Sequence, residues 1–113
     1  RSNWQSYCVG LPDWCEQRSV MQQLLDEGVS TRRGIMCTHR EPAYDHEPWS
    51  CEGGSSSLDR SGRHVDQLRE SEHAQDRTII LPLYHQMGES ELQTVAGALK
   101  RACARATKVL ARA

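Results

Sequence analysis

The sequence predicts a small α+β domain, a sheet of about three strands covered by helices. Three observations carry this reading. Short stretches alternate apolar and polar side chains, as half-buried strands do. Other stretches repeat apolar residues at helical spacing. The two kinds follow one another as strand, helix, strand, long loop, short helix, strand, long helix, which lays helices over one small sheet. A chain of 113 residues has room for one such domain, spanning 1–113.

The first strand is read from residues 4–11, where Tyr7, Val9 and Leu11 alternate with Ser6, Cys8 and Gly10 until Pro12 ends the run. Asp13 and Glu16 have capping-box spacing and open a helix on which Val20, Met21, Leu24 and Leu25 recur, closed by Gly28 as a left-handed cap. Residues 29–36 form the second predicted strand, despite Gly34. Residues 68–76 are polar helix formers and predict a short helix. Thr78–Tyr84 is the most apolar run and the third strand, with Pro82 placing its far end at an edge. Ser90 and Gln93 form a second capping box, and Leu92, Val95, Ala96, Leu99, Cys103, Ala106 and Leu110 trace one apolar stripe on the last helix.

Regularity fails from about Arg40 to Gly62, where Pro42, Pro48, three glycines and a serine run lie. A loop this long is usually functional or disordered. Its first half carries His39, Tyr44, His46 and Trp49, which a ligand or partner could order; a flexible loop is expected at about 45–67.

Fourteen cations against fifteen carboxylates give a net charge of -1, so nothing pulls the chain as a whole toward nucleic acid or an anionic membrane. With a mean hydropathy of -0.70 and no long apolar run, neither a transmembrane helix nor a secretory signal is expected. Five of the cations (Lys100, Arg101, Arg105, Lys108 and Arg112) gather without a carboxylate at the C-terminal end, and residues 104–113 read as a basic helical tail. Cations favour helix C-termini because the last carbonyls leave partial negative charge there. The five cysteines are odd in number and irregularly spaced, which does not describe a disulfide scaffold and points to a reducing, cytoplasmic setting. The chain opens at Arg1 in what reads as mid-domain sequence, and it is expected to be a piece of a longer protein.

Chemistry-bearing residues are few. Cys37, His39, His46 and Cys51 lack the tight paired spacing of zinc ligands, so no metal is expected. No nucleophile elbow, Walker loop or dinucleotide fingerprint occurs. The only lysines are Lys100 and Lys108, both on the final helix, where no shielded site would depress an amine for Schiff-base chemistry. No catalytic residue is therefore assigned. The remaining constellation is Arg32, Arg33, His39, Arg40 and Tyr44, at a strand end and in the loop after it, where binding sites are usually built. Arginine forks bind carboxylate or phosphate bidentately.

These motifs, taken in order, resemble the C-terminal domain of the DegT-type (StrS-like) sugar aminotransferases. The resemblance runs through Trp4-x-Ser6-Tyr7-x-Val9, Arg18-x-x-Met21-x-x-Leu24-x-x-x-Gly28-Val29, and Thr31-Arg32-Arg33-Gly34-Ile35-Met36 with His39, Pro42 and Tyr44. It continues from Ser71-Glu72 to Ile80-Leu81-Pro82-Leu83-Tyr84, then Met87, Val95 and Leu99. It covers nearly the whole chain except residues 45–67 and the tail, and the 51–66 stretch looks like an insertion. The resemblance implies the small, mainly antiparallel domain of an aspartate-aminotransferase-fold enzyme. It also implies a homodimer that uses pyridoxal phosphate to move an amino group, usually from glutamate, onto a nucleotide-linked keto sugar. The cofactor and its lysine would belong to a large domain. This domain, inactive alone, would supply a cleft wall with Arg32, Arg33, His39 and Tyr44 facing substrate. The alternative is a freestanding binding domain using the basic C-terminal helix.

Overall fold

The computed structural model describes residues 5–44, 50–51, 54–55 and 68–110, with side chains over 5–44 and 68–106. The elements are β1 (Tyr7–Gly10), α1 (Gln17–Asp26), β2 (Arg32–Arg33), a 3-10 turn (Thr38–Arg40), β3 (Ser50–Cys51), β4 (Gly54–Ser55), α2 (Arg69–Arg77), β5 (Thr78–Leu81) and α3 (Glu89–Leu110). The α+β class expected from the sequence is the class observed. β5 lies at the centre of a three-stranded sheet, antiparallel to β1 on one side and to β2 on the other.

Register decides which side chains share a face. Tyr7 stands opposite Leu81, and Val9 and Arg33 both stand opposite Ile79, so these residues point to one side of the sheet. On that side lies the core: Leu11, Cys15, Val20, Leu24, Val29, Ile79, Leu81, Ala98 and Ala102 are buried together, which brings α1 and α3 over the sheet. Val20, Leu24 and Ile79 are fully excluded from water, each worth about 1.5–3 kcal/mol of burial. Cys8 and Arg32 both stand opposite Ile80 on the other side; Cys8 and Arg32 are exposed and Ile80 only half-buried.

Several local expectations shift. Glu16, not Asp13, caps α1: its carboxylate accepts from the backbone N–H groups of Arg18 at 3.0 Å and Ser19 at 2.5 Å. Asp13 is held instead by Arg77 at 2.7 Å. Gly28 does close the helix in the left-handed region, at φ 80°. β2 is much shorter than residues 29–36. β5 emerges directly from α2 and offers four residues, so the ladder ends with the Gly34 N–H donating to the Thr78 carbonyl at 2.8 Å. α3 begins at Glu89, and the carboxylate reaching back is that of Glu91, onto the Gly88 N–H at 3.1 Å; Ser90 lies within the helix. Leu92 and Ala96 are exposed, whereas Ala98 and Ala102 are the most buried residues of α3. Within the expected loop, β3 and β4 pair antiparallel, Ser50 with Ser55 and Cys51 with Gly54. The rest of residues 45–67, and the tail beyond 110, lie outside the described residues.

Gly34 sits where a side chain has no room. A Cβ there would overlap the Thr78 side chain and come within 2.7 Å of Cys8 Sγ, while at Gly10 it would meet nothing within 4 Å. Gly34→Ala should cost about 1–3 kcal/mol of unfolding free energy, the range for overpacking. Gly10→Ala should change it by less than about 0.5 kcal/mol, both read from urea denaturation.

Candidate functional site

The four residues expected to face substrate do not converge on one point. Arg32 and Arg33 are consecutive in β2, so the pleat sends them to opposite sides of the sheet. Arg32 opens onto a hollow of about 660 Å³ on the uncovered face, lined also by Ser6, Thr31, Ile80 and Pro82. Arg33 opens onto a separate hollow of about 670 Å³ on the helix side, beside Arg18, Arg40 and Arg77. Tyr44, beyond the 3-10 turn, is 53% exposed.

His39 is held in place. Its Nε2 lies 2.8 Å from Glu72 Oε1, and both side chains are nearly buried. Arg40 braces the same helix, with 2.8 Å to Asp76 and 3.6 Å to Glu72. Hydrogen bonding to Asp76, ahead of any other cause, raises the Arg40 guanidinium above its ordinary value, so it stays charged. The turn is tied to α2 a third time by its entering residue: the Cys37 N–H donates to Gln75 Oε1 at 2.6 Å. The Glu72 carboxylate thus fixes the orientation of the His39 ring. The spacing of 33 residues between His39 and Glu72 gave no local sign of the pair.

Burial pushes the Cys37 thiol up, which leaves it a poor nucleophile beside His39. Cys8, Cys15, Cys37 and Cys103 are free thiols. The Cys103 thiol is pushed up to about 11 by burial and by its hydrogen bond with Cys15, so it too stays protonated at neutral pH. Among the described residues no group of three metal-ligating side chains occurs, and the side chains of His46 and Cys51 lie outside them. No helix of the described residues is long and apolar enough to cross a membrane.

The basic stretch of α3 is partly neutralised. Glu27, at the end of α1, takes Arg101 at 2.6 Å and Arg105 at 3.1 Å. The hydrogen bond from Arg101 is the largest cause holding the Glu27 carboxyl below its usual 4.5. A depressed carboxyl contributes stability that is fully present above the unfolded value and is lost as pH falls through the folded one. The wild-type chain should therefore show a higher urea midpoint than Glu27→Gln at pH 7, and that difference should shrink as pH falls below the usual glutamate value and through the depressed folded one. Comparison with family models and with curated proteins finds no match to this chain.

Proposed function

We propose that this chain is the small domain of a DegT-type, pyridoxal-phosphate-dependent aminotransferase. In this reading the enzyme moves an amino group from an amino acid, glutamate in this family's usual manner, to a nucleotide-linked keto sugar. The ordered series of motifs from Tyr7 to Leu99 supports it. The observation that carries it is the one-sided sheet. Helices α1 and α3 cover one face, while the other leaves Cys8 and Arg32 exposed, Arg32 beside a hollow, as a cleft wall requires. Large apolar side chains also stand in solvent, among them Ile35 at 41%, Met36 at 62% and Tyr84 at 50%. Exposed apolar surface of this kind marks a face that meets another domain or subunit, in keeping with a homodimer working in the cytoplasm.

Pyridoxal phosphate supplies the electron sink for amino transfer when bound. Among the described side chains none fits its anchoring: Lys100 is exposed on α3, and the Lys108 side chain lies outside them. The cofactor lysine belongs to another domain, and no chemical step is assigned to residues here. Their part is binding. Arg32 offers a guanidinium fork to a carboxylate or phosphate on the open face, and His39, steadied by Glu72, presents an oriented ring. The freestanding alternative loses ground because Glu27 already engages two cations of the basic helix.

In the enzyme that carries the cofactor domain, Arg32→Ala should raise KM for the sugar nucleotide by about ten- to a hundredfold, the loss expected for a charge-assisted hydrogen bond. Its urea midpoint should stay unchanged. An unaltered KM would remove Arg32 from the site.

A further inference from the structure

The hollow on the helix side of β2 has a composition the rest of the chain does not predict. Arg18, Arg33, Arg40 and Arg77 line it against two carboxylates, Glu16 and Asp76, in a protein whose net charge is -1. Neither carboxylate is unoccupied. Glu16 spends both oxygens capping α1, and Asp76 holds Arg40. Arg77 is fixed from behind, donating to the Cys15 carbonyl at 2.8 Å and to Asp13 at 2.7 Å, and its side chain is only 20% exposed. Arg40 is braced by α2, as described above. Two guanidinium groups are thus pre-positioned by contacts within the protein.

The other two are differently placed. The side chains of Arg18 and Arg33 make no ion pair or hydrogen bond with any described residue, although both stand at the same hollow. Four forks around one depression, two braced and two uncommitted, match an extended dianion better than a single carboxylate. Each guanidinium can bind phosphoryl oxygens bidentately. The volume of about 670 Å³ leaves room for more than one phosphoryl group.

We propose that this hollow is a binding site for the diphosphate group of a small-molecule ligand, with Arg18 and Arg33 closing on it from α1 and β2 and Arg40 and Arg77 forming its fixed floor. The site is distinct from the Arg32 face and concerns this chain alone, so it stands or falls independently of the aminotransferase reading.

The test is calorimetric titration of the 113-residue chain with inorganic pyrophosphate at fixed ionic strength. One saturable site is expected, with Arg18→Gln and Arg33→Gln each weakening binding at least tenfold. Neither residue has a partner to lose among the described residues, so both variants should keep the wild-type urea midpoint. Lys100→Gln, a cation on exposed α3, should bind within twofold of wild type. Orthophosphate should bind at least tenfold more weakly than pyrophosphate. Lack of saturation, wild-type affinity in Arg33→Gln, or an equal loss in Lys100→Gln would overturn the site. Orthophosphate binding as tightly as pyrophosphate would overturn its assignment to a diphosphate.

Discussion

The joint between α2 and β5 governs the rest of this domain. Helix gives way to strand between Arg77 and Thr78 with no connecting residue, which leaves helix-terminal carbonyls facing the interior. One buried side chain resolves this: Gln17 Nε2 donates to the carbonyls of Gln75 and of Thr78, both at 2.7 Å. The same contact pins the start of α1 against the joint. Arg77 adds a second clasp to the Cys15 carbonyl, and the Leu11 N–H donates to the Arg77 carbonyl at 2.7 Å. Because unsatisfied buried carbonyls are costly, the direction in which β5 leaves the joint is not free. With β5 fixed at the sheet centre, β1 and β2 take their registers from it.

Those registers then set the chemistry. A single-residue slip of β2 would exchange Arg32 and Arg33 between the faces. The observed pairing gives the open face one arginine and the helix side the other, so two adjacent residues serve two separate hollows. The 3-10 turn that carries His39 is fixed by the same helix that makes the joint, through Glu72, Gln75 and Asp76. The turn is thereby anchored to the inward side of α2, through the buried Glu72 and Gln75, which is how a loop can hold a geometry.

Much of this was legible in the sequence, for reasons that differ by residue. Gly28 announced the end of α1 because its left-handed conformation is one that few other residues adopt readily. The alternation of Tyr7 and Val9 marked a face because β1 is covered on one side only. Asp13 misled because its partner, Arg77, lies 64 residues away, and local spacing cannot register a contact of that range. The stripe on α3 misled differently. Apolarity pointed to Leu92, but α1 and α3 bury the small residues Ala98 and Ala102 between them, and packing there follows size as much as hydropathy. Gln17, the residue on which the joint rests, carried no signal at all, since glutamine reads as surface.

The reading of this chain as one wall of a cofactor enzyme is tested most directly by absorption spectroscopy after adding pyridoxal phosphate. Spectra would be recorded for this chain and for the longest polypeptide from the same reading frame. The account predicts a band of protein-bound cofactor in the longer polypeptide and only the free-cofactor spectrum with this chain. A bound-cofactor band in this chain alone, or in neither, would contradict it.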